Sequence, residues 1–98
     1  MKVFHRTTHA TAILSHGFRD GTGKYLTKHE YTGVWVSDRP LDASEGAHGE
    51  TLLSLDVPED VLAEHEWFEE GREFREFLVP ASILNRYGPP IVSHDDES

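Results

Sequence analysis

At 98 residues, 37% hydrophobic and 10% aromatic, the chain can build one modest core and little more. It holds no cysteine, which excludes disulfides, thiolate zinc sites and thiol nucleophiles and fits a reducing cytoplasm, the location the sequence predicts. Its net charge is −9, split as six cations against three acids in residues 1–40 and three against fifteen in residues 41–98. An extended nucleic-acid surface is therefore disfavoured, while the first forty residues could still hold one small anion such as a pyrophosphate.

In chain order, "KVFHRT" alternates Val3 and His5 against Phe4 and Arg6, as a first strand does. "TTHATAILSHG" offers a Thr cap, apolar Ala10, Ile13 and Leu14 at helical spacing, and Gly17 as a stop. "FRDGTGKYLTKHEYT" is polar with two glycines and reads as a loop; "DGTGK" lacks the spacing of a phosphate-binding loop and reads as a turn. "GVWVSD" is a short strand stopped at "RP", and "DASEGAHG" a loop or short helical turn. "TLLSLDV" alternates as a half-buried strand. "PEDVLAEHEW" starts with Pro at a first-turn position and acids where the helix dipole favours them. "FEEGRE" reads as a turn, "FREFLVP" as a strand, "ASILNRYG" as a short helical turn and "PPIV" as a last edge strand. This predicts one α+β domain over residues 1–92, with about five strands and two or three short helices, and a frayed acidic tail over 93–98. No apolar run approaches the roughly 20 residues of a membrane span, and no signal-peptide stretch opens the chain, so no membrane partner is expected.

The order of these motifs resembles the ADP-ribosyltransferase-like fold, in its diphtheria-toxin and poly-ADP-ribose-polymerase branch. A strand with His5, a helix ending in "GF", a "G-x-aromatic" strand and a late "EFLVP" strand carry the resemblance over roughly residues 3–86. It implies a small split β-sheet and NAD+ as substrate, with no metal. By the same resemblance His5 bonds the ribose beside the nicotinamide, and the main chain of Arg6 pairs with the nicotinamide amide. Trp35 stacks on the ring, Ser44 bonds the carboxamide oxygen and Glu76 is the catalytic acid. Three features depart from the branch: Arg6 stands where Gly is usual, Trp35 where Tyr is usual, and the chain is short.

Breaking the nicotinamide–ribose bond builds positive charge on the sugar, much as glycoside hydrolysis does. A fixed carboxylate at Glu76 would stabilise that charge, and His5 would fix the ribose. Arg19, Lys24 or Arg39 could neutralise the pyrophosphate. Glu73 lies on the opposite face of an unbroken strand from Glu76, unlike the E-x-E pair of arginine-modifying relatives. His9 and His16 are seven apart on one helix, about 10 Å, too far to share a metal ion. The expected activity is transfer of ADP-ribose to a protein or other acceptor, or NAD+ hydrolysis. The alternatives are an inactive binding module of the same fold and an RNA 2′-phosphotransferase. Without the resemblance, His5 and Trp35 read as ordinary structural residues. Glu76 faces the same side of its strand as Phe74 and Leu78, and an acid on an apolar face needs a partner or a task; the alternative is an edge strand turning that face to solvent, or an ion pair with an arginine.

Overall fold

The computed structural model describes residues 1–24, 30–41, 49–68, 70, 71 and 73–93, with the backbone alone at 22–24, 30 and 31. The elements in chain order are β1 (Lys2–Thr7), α1 (Ala10–His16), β2 (Gly21–Lys24), β3 (Glu30–Ser37) and β4 (Thr51–Asp56). They continue with α2 (Glu59–Ala63), β5 (Glu66–Trp67), β6 (Glu76–Val79), α3 (Ala81–Leu84) and β7 (Ile91–Ser93). The α+β class is as expected, with three short helices and a sheet whose strand pairs are all antiparallel among the described residues. Its order is β5-β6-β3-β1-β4-β7, and β2 pairs with the first half of β3.

Among the described residues seven strands form where about five are expected. The first correction is "GTGK", which is no turn: Gly21 to Lys24 run opposite Gly33 to Glu30 in an antiparallel ladder. Backbone pairing alone can make such a strand, and glycine leaves no side-chain alternation to announce it. The second is β5, two residues long, held to β6 through Glu66 opposite Phe77 and Trp67 opposite Glu76. Ser93, expected in the tail, is buried as the last residue of β7.

Alternation along each strand sorts the two faces of the sheet. Val3, Val34, Val36, Leu53, Leu55, Phe77 and Val79 share one face with Ile13, Leu62, Ala81 and Leu84 of the helices, and this is the core. Phe77 is fully buried; removing such a ring to Ala costs about 3–5 kcal/mol. The other face carries Phe4, Trp35, Trp67, Glu76 and Leu78, all half-buried. Leu41 and Leu52 are buried outside the main core cluster.

Arg75 straps the β5 end together. Its Nε and Nη2 donate to Glu66 Oε2 and Oε1 at 3.0 and 2.7 Å, and its Nη1 to Glu59 Oε1 at 2.7 Å. The guanidinium also lies 5.2 Å from the centre of the Phe77 ring. Among the described residues, no helix is long and apolar enough to cross a membrane.

Candidate functional site

The strand pairs are unequal in length, and that inequality makes a cleft. β1 runs against β4 over six register pairs, and β3 against β6 over four. Between β1 and β3, Phe4 opposite Ser37 is the one register pair. Beyond it the strands part, and a cleft of about 540 Å³ opens, lined by His5, Arg6 and Thr7 from β1 and by Gly33, Val34 and Trp35 from β3. Thr8, His9, Ala12 and Ile13 close one side, and Gly17, Phe18, Arg19 and Gly21 another. The volume lies in the range of small-molecule sites.

His5 bridges the parted strands. Its Nδ1 lies 2.8 Å from the Trp35 carbonyl oxygen, which can only accept, so Nδ1 carries the proton and Nε2 keeps its lone pair. Burial pushes the imidazole pKa below its ordinary value, outweighing the pull of that carbonyl in the other direction. A neutral ring with one fixed tautomer results. Phe18 meets it edge-on, ring centroids 5.7 Å apart at 74°.

The Phe18 segment is held from the α3 side. Asn85 Oδ1 accepts from the Phe18 N–H at 2.8 Å, and Asn85 Nδ2 donates to the Phe18 carbonyl at 3.0 Å. Asp20 Oδ1 accepts the Ala81 N–H at 2.8 Å, which satisfies a free donor at the start of α3. Gly17 fits here at φ 88°, and a Cβ on it would stand 2.9 Å from Asn85 Oδ1. On β1, Thr7 Oγ1 accepts the His9 N–H at 2.8 Å, so the expected Thr cap acts just ahead of α1 rather than on the helix itself.

The expected site residues separate into two groups. His5, Arg6, Arg19 and Trp35 line the cleft. Arg6 Nε donates to the Leu41 carbonyl at 2.6 Å, which ties the segment after β3 to β1. The Trp35 indole meets Trp67 edge-on at 5.4 Å and 82°, on the face opposite the one Val34 and Val36 give to the core. Glu76 stands opposite Ser37 and Trp67 on that same outer face, and it is not among the residues lining the cleft. The sequence places Glu76 on the apolar face of its strand; Phe77 and Val79 hold that face instead. Arg39 stacks on Phe74 at 5.0 Å, away from the cleft lining. Ser44 lies outside the described residues.

Among the described residues the lining includes two arginines and no carboxylate, in a chain of net charge −9. Among the described residues no three His, Asp or Glu side chains gather where a metal ion could sit. Phe18 and Asn85 are not among the residues the sequence points to; the "GF" after α1 signals the first, and nothing in the pattern signals the second. No family model, curated protein or solved structure matches the chain.

Proposed function

We propose that the chain binds NAD+ in the cleft between β1 and β3 and cleaves its nicotinamide–ribose bond, passing ADP-ribose to a protein, another acceptor or water. The observation that carries this reading is the cleft itself, lined by His5, Arg6 and Arg19 and, among the described residues, by no acid. A dinucleotide brings chemistry of the matching kind. Its pyrophosphate suits Arg19, and a ribose hydroxyl can donate to the Nε2 lone pair of His5. His5 binds and orients; its neutral state lets it accept that hydrogen bond without repelling the cationic ring. As the bond to nicotinamide breaks, positive charge grows on the ribose, and a carboxylate is the group that stabilises it. Glu76 is proposed for that role; it stands on the outer face of the sheet and outside the cleft lining, so this step requires the ribose to reach the face that Glu76 shares with Trp35.

One observation favours a second reading, a domain of the same kind that binds the nucleotide without cleaving it. Glu76 shares its face of the sheet with the Trp35 side chain, while His5 faces Phe18 on the core side. Nicotinamide release at saturating NAD+, by the wild type and by Glu76→Gln, separates the two. For the enzyme, turnover in Glu76→Gln falls by roughly 10²-fold or more while affinity hardly changes. A wild-type rate equal to buffer, with NAD+ bound and candidate acceptor proteins present, selects the binding module.

A further inference from the structure

We propose that Asn85 is a positioning residue for the cleft: its side-chain amide fixes the Phe18 peptide, and through the Phe18 ring it sets the orientation of His5. The inference rests on the reading of the cleft as the ligand site.

Asn85 is solvent-exposed at the C-terminal end of α3, and it follows Leu84, which is fully buried. Both polar atoms of its amide are used on one residue's backbone, Oδ1 on the Phe18 N–H at 2.8 Å and Nδ2 on the Phe18 carbonyl at 3.0 Å. That residue is 67 positions away in sequence and lies between α1 and β2, outside the strand ladders. A two-point grip fixes both the position and the tilt of the backbone it holds; a single hydrogen bond leaves the tilt free. Phe18 is 4% exposed, so the grip is transmitted to a packed ring. The ring meets the His5 imidazole, at 5.7 Å and 74°.

The next residues bind the same wall at a second point, through Asp20 Oδ1 on the Ala81 N–H at the other end of α3. Arg19 sits between the two anchors and lines the cleft. Gly17 completes the fit: it takes φ 88°, and any side chain would press on Asn85 Oδ1 at 2.9 Å. Nothing in this arrangement requires Asn85 to touch a ligand. It acts through Phe18 and Arg19.

The test uses the full chain and four variants, Asn85→Ala, Asn85→Asp, Gly17→Ala and, as a neighbouring surface control, Arg86→Ala. Asn85→Asp keeps the acceptor for the Phe18 N–H and turns the donor to its carbonyl into a repelling oxygen. Two readouts are taken well below each variant's melting temperature: the His5 tautomer from long-range 1H–15N spectra, and the NAD+ dissociation constant. In the wild type His5 is held with the proton on Nδ1. In the Asn85 and Gly17 variants it becomes a tautomer mixture, and NAD+ binding weakens on the order of tenfold; Arg86→Ala changes neither. A lower melting temperature with wild-type His5 spectra and affinity makes Asn85 purely structural and overturns the proposal. If Asn85→Ala does not fold, Asn85→Asp and Gly17→Ala decide between these outcomes. Should the wild type not bind NAD+, the functional reading fails, and the His5 tautomer alone decides the role of Asn85.

Discussion

Burial lowers the proton affinity of His5, and the sign of that shift fixes how stability depends on pH. The unfolded chain takes up the proton near the ordinary value of about 6.5, while the folded chain resists it. The stability contributed by the neutral ring is therefore complete above that value and is lost as pH falls through it toward the lower folded value. His5→Asn keeps a donor for the Trp35 carbonyl but does not titrate. Its melting temperature should fall less between pH 7 and 5 than that of the wild type; parallel curves would show that His5 is not the group responsible. Glu66 acts in a different window. Its hydrogen bonds from Arg75 lower its carboxyl pKa, so its contribution is present above about 4.5 and lost only below it. At this scale the sequence is partly readable. His5 stands out as a polar residue on a strand facing an apolar set, and Trp35 as an aromatic between two valines. What cannot be read is which side of the sheet each faces, because that depends on where β1 and β3 part.

The elements themselves are legible wherever side chains alternate. β1 and β6 show period-two patterns, and α1 shows the helical spacing with its glycine stop. β4, expected to be half-buried, is instead buried on both faces from Leu52 to Leu55, with β1 and β7 flanking it on either side. β2 and β5 are not legible, since one is half glycine and the other is two residues long, and both exist by pairing with a neighbour. The same is true of the Arg75 strap. Glu59, Glu66 and Arg75 have no spacing that links them in sequence; the return of β6 alongside β5 brings them together. Glu66 is 12% exposed in its side chain and Glu59 64%, so the Glu66 arm carries most of the effect. Arg75→Met should lower stability by about 1–2 kcal/mol in urea unfolding, since partly solvated pairs contribute less than buried ones. It should also remove the acid-side loss assigned to Glu66. An unchanged midpoint would mean that β5 is held by Trp67 and the backbone ladder alone.

Across the whole molecule the charge is sorted by place. Residues 59–76 hold eight acids and two cations, a net of −6 out of the −9 of the chain, while the described lining of the cleft presents Arg6 and Arg19 without an acid. This asymmetry is visible in the sequence as a basic first part and an acidic second part; that two of the cations meet at one opening of the sheet is not. It also divides the expected pyrophosphate ligands. Arg19→Ala should weaken NAD+ binding by roughly tenfold or more and flatten its salt dependence. Arg39→Ala, whose guanidinium lies on Phe74, should behave like Arg86→Ala. Calorimetric titration of the three variants at two salt concentrations checks this, and equal affinities would remove Arg19 from the site. The central claim is that the opening between β1 and β3 receives NAD+, and the His5 ring reports on it directly. In a titration with NAD+ followed by long-range 1H–15N spectra, the Nε2 signal should move to saturation as it accepts a hydrogen bond, with the proton remaining on Nδ1. A His5 Nε2 signal that does not move at millimolar NAD+ would contradict the account.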